Sequence, residues 1–299
     1  MPSQPFDDIR SLIHDLPPAP AAAQASAAGP VLARMADWIA AWRGGAQVNR
    51  PIFALYVGGH AGVDQAGTSR QLMERIAAGD ADISRAAQHL GAGLDVYELA
   101  IDRPVPDLTA SAAMSERECA ATMAFGMEAL AKQPDLLCVG ALGGEGRLIA
   151  AAALAHARFG GAAADWTPVA QAGRVAAAVE RARTEAGDDP LQQLRQLGGR
   201  ETAAACGAIL AARTQAVPVL LGDYPGLAAA AVLGALDALA IDHCRLACAP
   251  AAPGARRLAD ALGLVPWLDL DLEADDGTGC AAALSLIRLA CAIPAHGAP

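Results

Sequence analysis

A glycine-rich segment in the middle of the chain has the composition of an anion-binding loop. It reads Gly140-Ala141-Leu142-Gly143-Gly144-Glu145-Gly146-Arg147 and follows a short apolar run. Glycines between a strand and a helix expose backbone N–H groups at the positive end of the helix, which suits a phosphate. We interpret Gly143, Gly144 and Gly146 as phosphate-binding positions, Arg147 as a charged contact and Glu145 as a further candidate. A tight structural turn, with Arg147 exposed at a helix start, explains the same pattern.

A second polar loop precedes the last predicted helix and reads Asp275-Asp276-Gly277-Thr278-Gly279. Carboxylates in this position commonly cap a helix by accepting hydrogen bonds from its first N–H groups. The same segment could instead supply a general base beside glycine N–H groups. On these residues alone, capping is the commoner role.

Two more polar residues come just after apolar runs. His60 follows Gly58-Gly59 and could exchange a proton or contact a phosphate, although a lone histidine in a loop more often does neither. Asp223 follows the run at 217–221, and its role is equally open.

The elements that must position these loops alternate along the chain. Short apolar runs predict strands, and apolar residues three or four apart predict helices. The predicted strands are 51–57, 94–100, 135–140, 217–221 and 243–248. The predicted helices are 6–16, 30–43, 67–78, 81–91, 115–132, 147–158, 168–186, 190–197, 200–213, 225–239, 253–262 and 279–292.

This alternation indicates βαβ units and predicts an α/β fold, a three-layer Rossmann-like parallel sheet with helices on both faces. Residues 1–50 are interpreted as a small N-terminal helical segment and residues 51–299 as the α/β domain. Ligands of such sheets bind outside the carboxyl ends of the strands, where the polar loops fall.

Charge and composition exclude several classes of partner. A net charge of −10 argues against nucleic acid and against an anionic membrane surface. The polar start of the chain is unlike a signal peptide, and its apolar stretches are shorter than the ~20 residues of a membrane span. We expect a soluble, cytoplasmic protein. The cysteines, including Cys244 and Cys248, are interpreted as reduced thiols rather than metal ligands.

Four segments carry motifs of one known family in the same order. Residues 189–204 resemble D-P-x-x-x-L-x-x-x-G-G-x-E-I-A-A, and residues 217–224, V-P-V-L-L-G-D-Y, resemble I-P-V-L-L-D-G-F. Residues 253–270 resemble P-G followed by L-G-L-x-P-L-L-x-L, and residues 275–281 lie where the family has G-E-G-[ST]-G-A-A. The chain therefore resembles the nicotinate-nucleotide–dimethylbenzimidazole phosphoribosyltransferases.

The resemblance implies a homodimer that moves 5-phosphoribose from nicotinate mononucleotide to 5,6-dimethylbenzimidazole during cobalamin assembly. The products would be α-ribazole 5′-phosphate and nicotinate, and no metal or other cofactor is implied. The catalytic glutamate of the family corresponds to Asp276, with Gly277, Thr278 and Gly279 on the phosphate side. Arg174 is the nearest substitute for a helix lysine of the family.

The loops also depart from the family pattern. Asp276 is one methylene shorter than glutamate, and a misplacement of about 1 Å can cost around 100-fold in rate. Ala141 replaces an acid of the glycine-rich loop. The family's D-H-G-V has become Gly59-His60-Ala61-Gly62-Val63, without the aspartate and one residue longer. Residues 248–255 lack the family's serines, acid and histidines.

Three hypotheses remain open at this stage. The chain is an active or residually active glycosyltransferase with Asp276 as the base, and its accepted base could differ from dimethylbenzimidazole. Alternatively, it is a catalytically degenerate homologue, a pseudoenzyme that binds ligand or regulates a paralogous subunit. The third hypothesis is a structural partner in a hetero-oligomer. Turnover and ligand binding distinguish these hypotheses.

Overall fold

The computed structural model describes residues 5–20, 30–65, 67–272 and 276–293. Within them one sheet is formed by β1 Pro51–Val57, β2 Gly93–Glu98, β3 Leu136–Leu142, β4 Val219–Leu221 and β5 Cys244–Leu246. The strands are all parallel and lie in the order β2-β1-β3-β4-β5. The predicted parallel α/β sheet is therefore confirmed.

The helices surround this sheet. They are α1 Asp7–His14, α2 Val31–Arg43, α3 Thr68–Ala77, α4 Asp82–Leu90, α5 Glu116–Gly126, α6 Gly146–Phe159, α7 Val169–Ala186, α8 Pro190–Leu197, α9 Arg200–Thr214, α10 Tyr224–Leu236, α11 Pro253–Ala261 and α12 Thr278–Ala292. None of the helices built from the described residues combines the length and the apolar character needed to cross a membrane.

Two predicted helices are shorter than expected. The helix predicted over 115–132 is α up to Gly126 and continues as the 3₁₀ helix Met127–Leu130. The helix predicted over 225–239 ends at Leu236, and the 3₁₀ helix Ala238–Ile241 follows. Apolar residues three apart fit both helix types, so periodicity alone does not locate the change.

Strand β1 shows how the core is divided between the two faces of the sheet. Ile52, Ala54 and Tyr56 belong to one cluster of buried side chains, and Phe53, Leu55 and Val57 belong to the other. Successive side chains of a strand point to opposite faces, so a wholly apolar run indicates a strand covered on both sides. The sheet thus supports two separate apolar layers.

The N-terminal helices contribute to both layers. Ile9 and Ile13 of α1 pack in the first cluster, whereas Trp38 and Trp42 of α2 pack in the second. The segment predicted as an N-terminal helical part therefore shares its core with the α/β sheet. The boundary placed at residue 50 stays a prediction.

Helices α5 and α9 approach each other closely because glycines lie at their crossing. A Cβ atom at Gly207 would overlap the carbonyl of Met123, and one at Gly126 would overlap the carbonyl of Ala204. Each glycine faces the backbone of the opposite helix. The crossing therefore depends on the absence of a side chain at both positions.

Gly207→Ala should destabilise the protein by at least about 2 kcal/mol, because the helices must separate to admit the methyl group. Gly173→Ala in α7 is the matched control, since a Cβ atom there meets nothing within 4 Å. Alanine at an open helical position should stabilise by about 0.5–1 kcal/mol. Denaturant unfolding measures both changes. Equal effects of the two substitutions would contradict the proposed role of the crossing.

Candidate functional site

The strand order reverses between β1 and β3, because the chain passes from β1 to β2 on one side and returns to β3 on the other. At such a reversal the following segments diverge and leave a crevice outside the carboxyl ends of the strands, where open parallel sheets bind ligands. Here those segments are residues 58–65 after β1 and residues 143–145 after β3. The predicted glycine loop therefore lies at this crevice.

A buried ion pair joins the loop after β1 to the start of α9. His60 Nε2 lies 2.6 Å from Oε1 of Glu201, and the two side chains are only 4% and 1% exposed. Sequence reasoning singles out His60 but not Glu201. The available signal for Glu201 is its place in the G-G-x-E motif at residues 198–201.

Burial and charge act in opposite directions on this pair. Burial lowers the pKa of His60, but the adjacent Glu201 carboxylate outweighs that effect, and the pKa is raised above its usual value. Burial likewise raises the pKa of Glu201, but the attraction of His60, with a smaller contribution from Arg147, holds the pKa below its usual range. Both shifts favour an imidazolium paired with a carboxylate.

Glycines provide the space that this pair occupies. A Cβ atom at Gly146 would overlap the His60 side chain, and one at Gly58 or Gly199 would overlap the Glu201 carboxylate. The three glycines come from the loop after β1, the start of α6 and the turn before α9. Gly146 is therefore required by internal packing, independently of any phosphate.

A carboxylate of the chain itself lies at the start of α6. Asp64 Oδ1 accepts a hydrogen bond from the Gly146 N–H, and Oδ2 accepts one from the His60 N–H, both at 2.8 Å. A Cβ atom at Gly144 would overlap the same carboxylate. The start of α6 thus binds a negatively charged group, but this group is a side chain of the protein itself. No sequence motif singles out Asp64 for this position.

The other predicted residues near this loop have different surroundings. Gly143 has a φ of +138°, a backbone conformation that favours glycine. Arg147 is buried in the first turn of α6, not exposed, whereas Glu145 is exposed. Arg174 donates to Asp107 at 2.8 Å and lines a small cavity together with His60 and Gly146.

Asp276 caps helix α12 from the position before the N-cap residue, Gly277. Its Oδ1 accepts from the Thr278 N–H at 3.0 Å and from the Thr278 hydroxyl at 2.6 Å. Gly277 between them has a φ of +90°. Capping is thus the role that the structure shows, and among the described residues no group donates to Oδ2. Asp275 lies outside the described residues.

Asp223 is also a cap. Its side chain is buried, and its Oδ1 accepts from the Gly226 N–H at 2.7 Å. Its Oδ2 accepts from the N–H of Ala141 near the end of β3. Asp223 therefore holds the start of α10 against β3.

Of the predicted residues, His60 lines one cavity and Gly279 lines another. One, of about 230 Å³, is lined by His60, Asp64 and Arg70. The other, of about 320 Å³, lies outside the ends of β4 and β5, where Gly222 and Cys248 follow these strands. Its wall also includes Leu148 in the first turn of α6 and Gly279 in the first turn of α12. The starts of α6, α11 and α12 thus line the second cavity.

This strand order, with glycine loops at the reversal point and a cavity lined by helix starts, defines an α/β protein of the kind that binds a small ligand at the carboxyl edge of its sheet. The model of a phosphoribosyltransferase family matches residues 24–298. Relatives 42–43% identical to the chain carry the name nicotinate-nucleotide–dimethylbenzimidazole phosphoribosyltransferase, and the chain belongs to that family.

Relatives with that name resemble the chain over nearly its whole length. The protein of Rhizobium etli strain CFN 42 is 43% identical over 317 residues, covering 96% of this chain and 93% of the relative. That of Sinorhizobium fredii is 42% identical and covers 98% and 94%. The crystal structure of the Thermus thermophilus protein superposes with a TM-score of 0.77 at 27% identity and covers 97% of this chain and 95% of that one.

Glu201→Gln should destabilise the protein by about 3 kcal/mol or more, because it leaves His60 buried without its counter-charge. The loss should be greatest below about pH 6.5, where His60 is protonated in the unfolded chain. In wild type, the raised pKa of His60 contributes stability at low pH, and this contribution is lost as pH rises through the pKa of His60 in the folded protein. In Glu201→Gln, burial is the dominant influence on His60 and lowers its pKa. The contribution of His60 to the free energy of unfolding then increases with pH, so the loss of stability relative to wild type becomes smaller at higher pH.

Unfolding free energies of both proteins between about pH 5 and 8 measure this difference. Glu180→Gln removes the partner of Arg183 in an exposed pair and is the control, with no measurable loss expected. A loss that is independent of pH would show that His60 and Glu201 do not form an ion pair.

Proposed function

We propose that the chain transfers 5-phosphoribose from nicotinate mononucleotide to 5,6-dimethylbenzimidazole, giving α-ribazole 5′-phosphate and nicotinate. The observation that carries the proposal is the cavity outside β4 and β5, onto which the first turns of α6 and α12 both open. A nucleotide needs an anion site, and the incoming base needs a proton acceptor. The loop before α6 carries the candidate anion site and Asp276 before α12 is the candidate proton acceptor, and Leu148 and Gly279 are the residues of the two first turns that line the cavity wall.

The proposed phosphate site is the loop before α6. The candidates are the backbone N–H groups of Gly143, Gly144 and Gly146, with Arg147 as a nearby charge. The positive end of a helix of this length favours a phosphate. Arg174 is a weaker candidate, because its guanidinium is already paired with Asp107.

The proposed base is Asp276. As one nitrogen of the benzimidazole forms a bond to C1′, the C1′–N bond of nicotinate breaks and its electron pair returns to the pyridine nitrogen. The proton on the other benzimidazole nitrogen passes to the carboxylate. Oδ1 already accepts two hydrogen bonds from Thr278, so Oδ2 is the oxygen assigned to the proton. Thr278 thereby fixes the direction of a carboxylate that is shorter than the family's glutamate.

A homodimer belongs to the same proposal because the family resemblance implies it, and the cytoplasmic location expected from the sequence is proposed with it. Sedimentation of the purified protein tests the assembly, and fractionation of the source cells tests the location.

A second candidate function is binding of the nucleotide without turnover. The observations that favour it are Ala141, where the resemblance implies an acid in the glycine-rich loop, and the shorter side chain of Asp276. Saturable binding of nicotinate mononucleotide with no product in long incubations would support this candidate over the first.

Asp276→Asn should retain the cap, because the amide oxygen can still accept from Thr278, but it removes the proton acceptor. We expect kcat to fall by about 10²–10⁴-fold with little change in stability. Asp276→Ala should lose turnover and also about 1 kcal/mol of stability, because the cap is lost. Product formation from nicotinate mononucleotide and dimethylbenzimidazole, measured together with thermal unfolding, separates the two effects.

Asp269→Asn is the matched control, since Asp269 is an exposed acid of the preceding segment. It should leave turnover unchanged. Wild-type turnover that survives in Asp276→Asn would rule out Asp276 as the base.

A further inference from the structure

Asp64 holds two backbone N–H groups that belong to different loops. The Gly146 N–H opens α6, and the His60 N–H lies in the segment after β1. A single carboxylate therefore bridges the two sides of the crevice at the point where the strand order reverses. A phosphate placed at the start of α6 would need the same Gly146 N–H.

The Asp64 carboxylate and a bound phosphate cannot occupy the start of α6 at the same time. The carboxylate lies so close to Gly144 that a Cβ atom there would overlap it, so no space remains between Asp64 and the glycine loop. Two anions at one helix start also repel each other. A phosphate can reach Gly143, Gly144 and Gly146 only after the Asp64 side chain has moved.

The surroundings provide a place for the displaced side chain. Asp64 lines the cavity of about 230 Å³ whose wall also includes Gln65, Ser69 and Arg70. Rotation of the carboxylate into this cavity would free the Gly146 N–H without breaking the buried pair of His60 and Glu201.

We propose that Asp64 is an internal competitor for the substrate phosphate and must leave the start of α6 before the nucleotide binds. This inference rests on the proposed function, because it assumes that the loop before α6 is the phosphate site. Asp64 then sets how much phosphate or nucleotide is needed to occupy the site. It is a gate on binding and takes no part in the chemistry.

Asp64→Asn tests the competition directly. The amide keeps the size of the side chain but removes its charge and presents a donor to one of the two N–H groups. Titration calorimetry with inorganic phosphate and with nicotinate mononucleotide should show affinities about tenfold or more above wild type, since charge-assisted hydrogen bonds no longer oppose the ligand. Free nicotinate, which has a carboxylate but no phosphate, should bind equally to both proteins.

Asp102→Asn is the matched control. It removes the same charge from the wall of the same cavity, but its partner is Arg70 and it does not contact Gly146. Its phosphate affinity should equal that of wild type. A purely structural role of Asp64 predicts lower stability in Asp64→Asn and no gain in phosphate affinity. That result would overturn the proposal, and so would an equal gain in Asp102→Asn.

If Asp64→Asn does not fold, the wild-type protein supplies the test. The Asp64 N–H donates to the His60 carbonyl at 3.0 Å, a contact that should loosen when the side chain leaves. Saturating nicotinate mononucleotide should therefore speed hydrogen exchange at Asp64. Unchanged or slower exchange with bound nucleotide contradicts the gate.

These measurements need no turnover, so the two proposals can fail separately. Tighter phosphate binding by Asp64→Asn without product from wild type would retain the gate and reject the transferase. Turnover by wild type with no gain in phosphate affinity in Asp64→Asn would reject the gate and retain the transferase.

Discussion

Taking an imidazolium and a carboxylate out of water costs several kcal/mol for each ion, so His60 and Glu201 are tolerated in the interior only because each neutralises the other. Their 2.6 Å contact links residues 141 positions apart and brings together the end of β1 and the start of α9. Gly146, at the start of α6, must remain without a side chain because His60 fills the space beside it. The geometry of the whole crevice therefore depends on one buried pair.

The fold is largely predictable from the sequence because the strands are mostly apolar and glycine or proline marks most element ends. Strand β1 is located by its apolar run from Pro51 to Val57. Its successive side chains alternate between the two apolar clusters on opposite faces of the sheet. The site is less predictable. The glycine loop and the Asp276 cap follow local patterns, but the contacts of Glu201 and Asp64 join distant segments and depend on how the loops fold over one another.

Contacts of Asp223 and Asp276 fix two further segments at the carboxyl edge of the sheet. Ala141 lacks a polar side chain, yet its N–H is held by Asp223, so the end of β3 remains fixed to α10. Asp276 is shorter than glutamate, yet Thr278 orients it at the start of α12. The protein thus keeps the scaffold of its family, and the carboxylates of Asp223 and Asp276 each accept a hydrogen bond from an N–H group at the start of a helix.

The most direct test is a crystal structure of the protein grown with nicotinate mononucleotide. We predict that the nucleotide lies at the carboxyl edge of the sheet, with its phosphate on the Gly146 N–H, Asp64 turned away, and the ribose toward Asp276. The pair of His60 and Glu201 should remain intact. A nucleotide bound elsewhere, or a phosphate at the start of α6 with Asp64 still in place, would contradict this prediction.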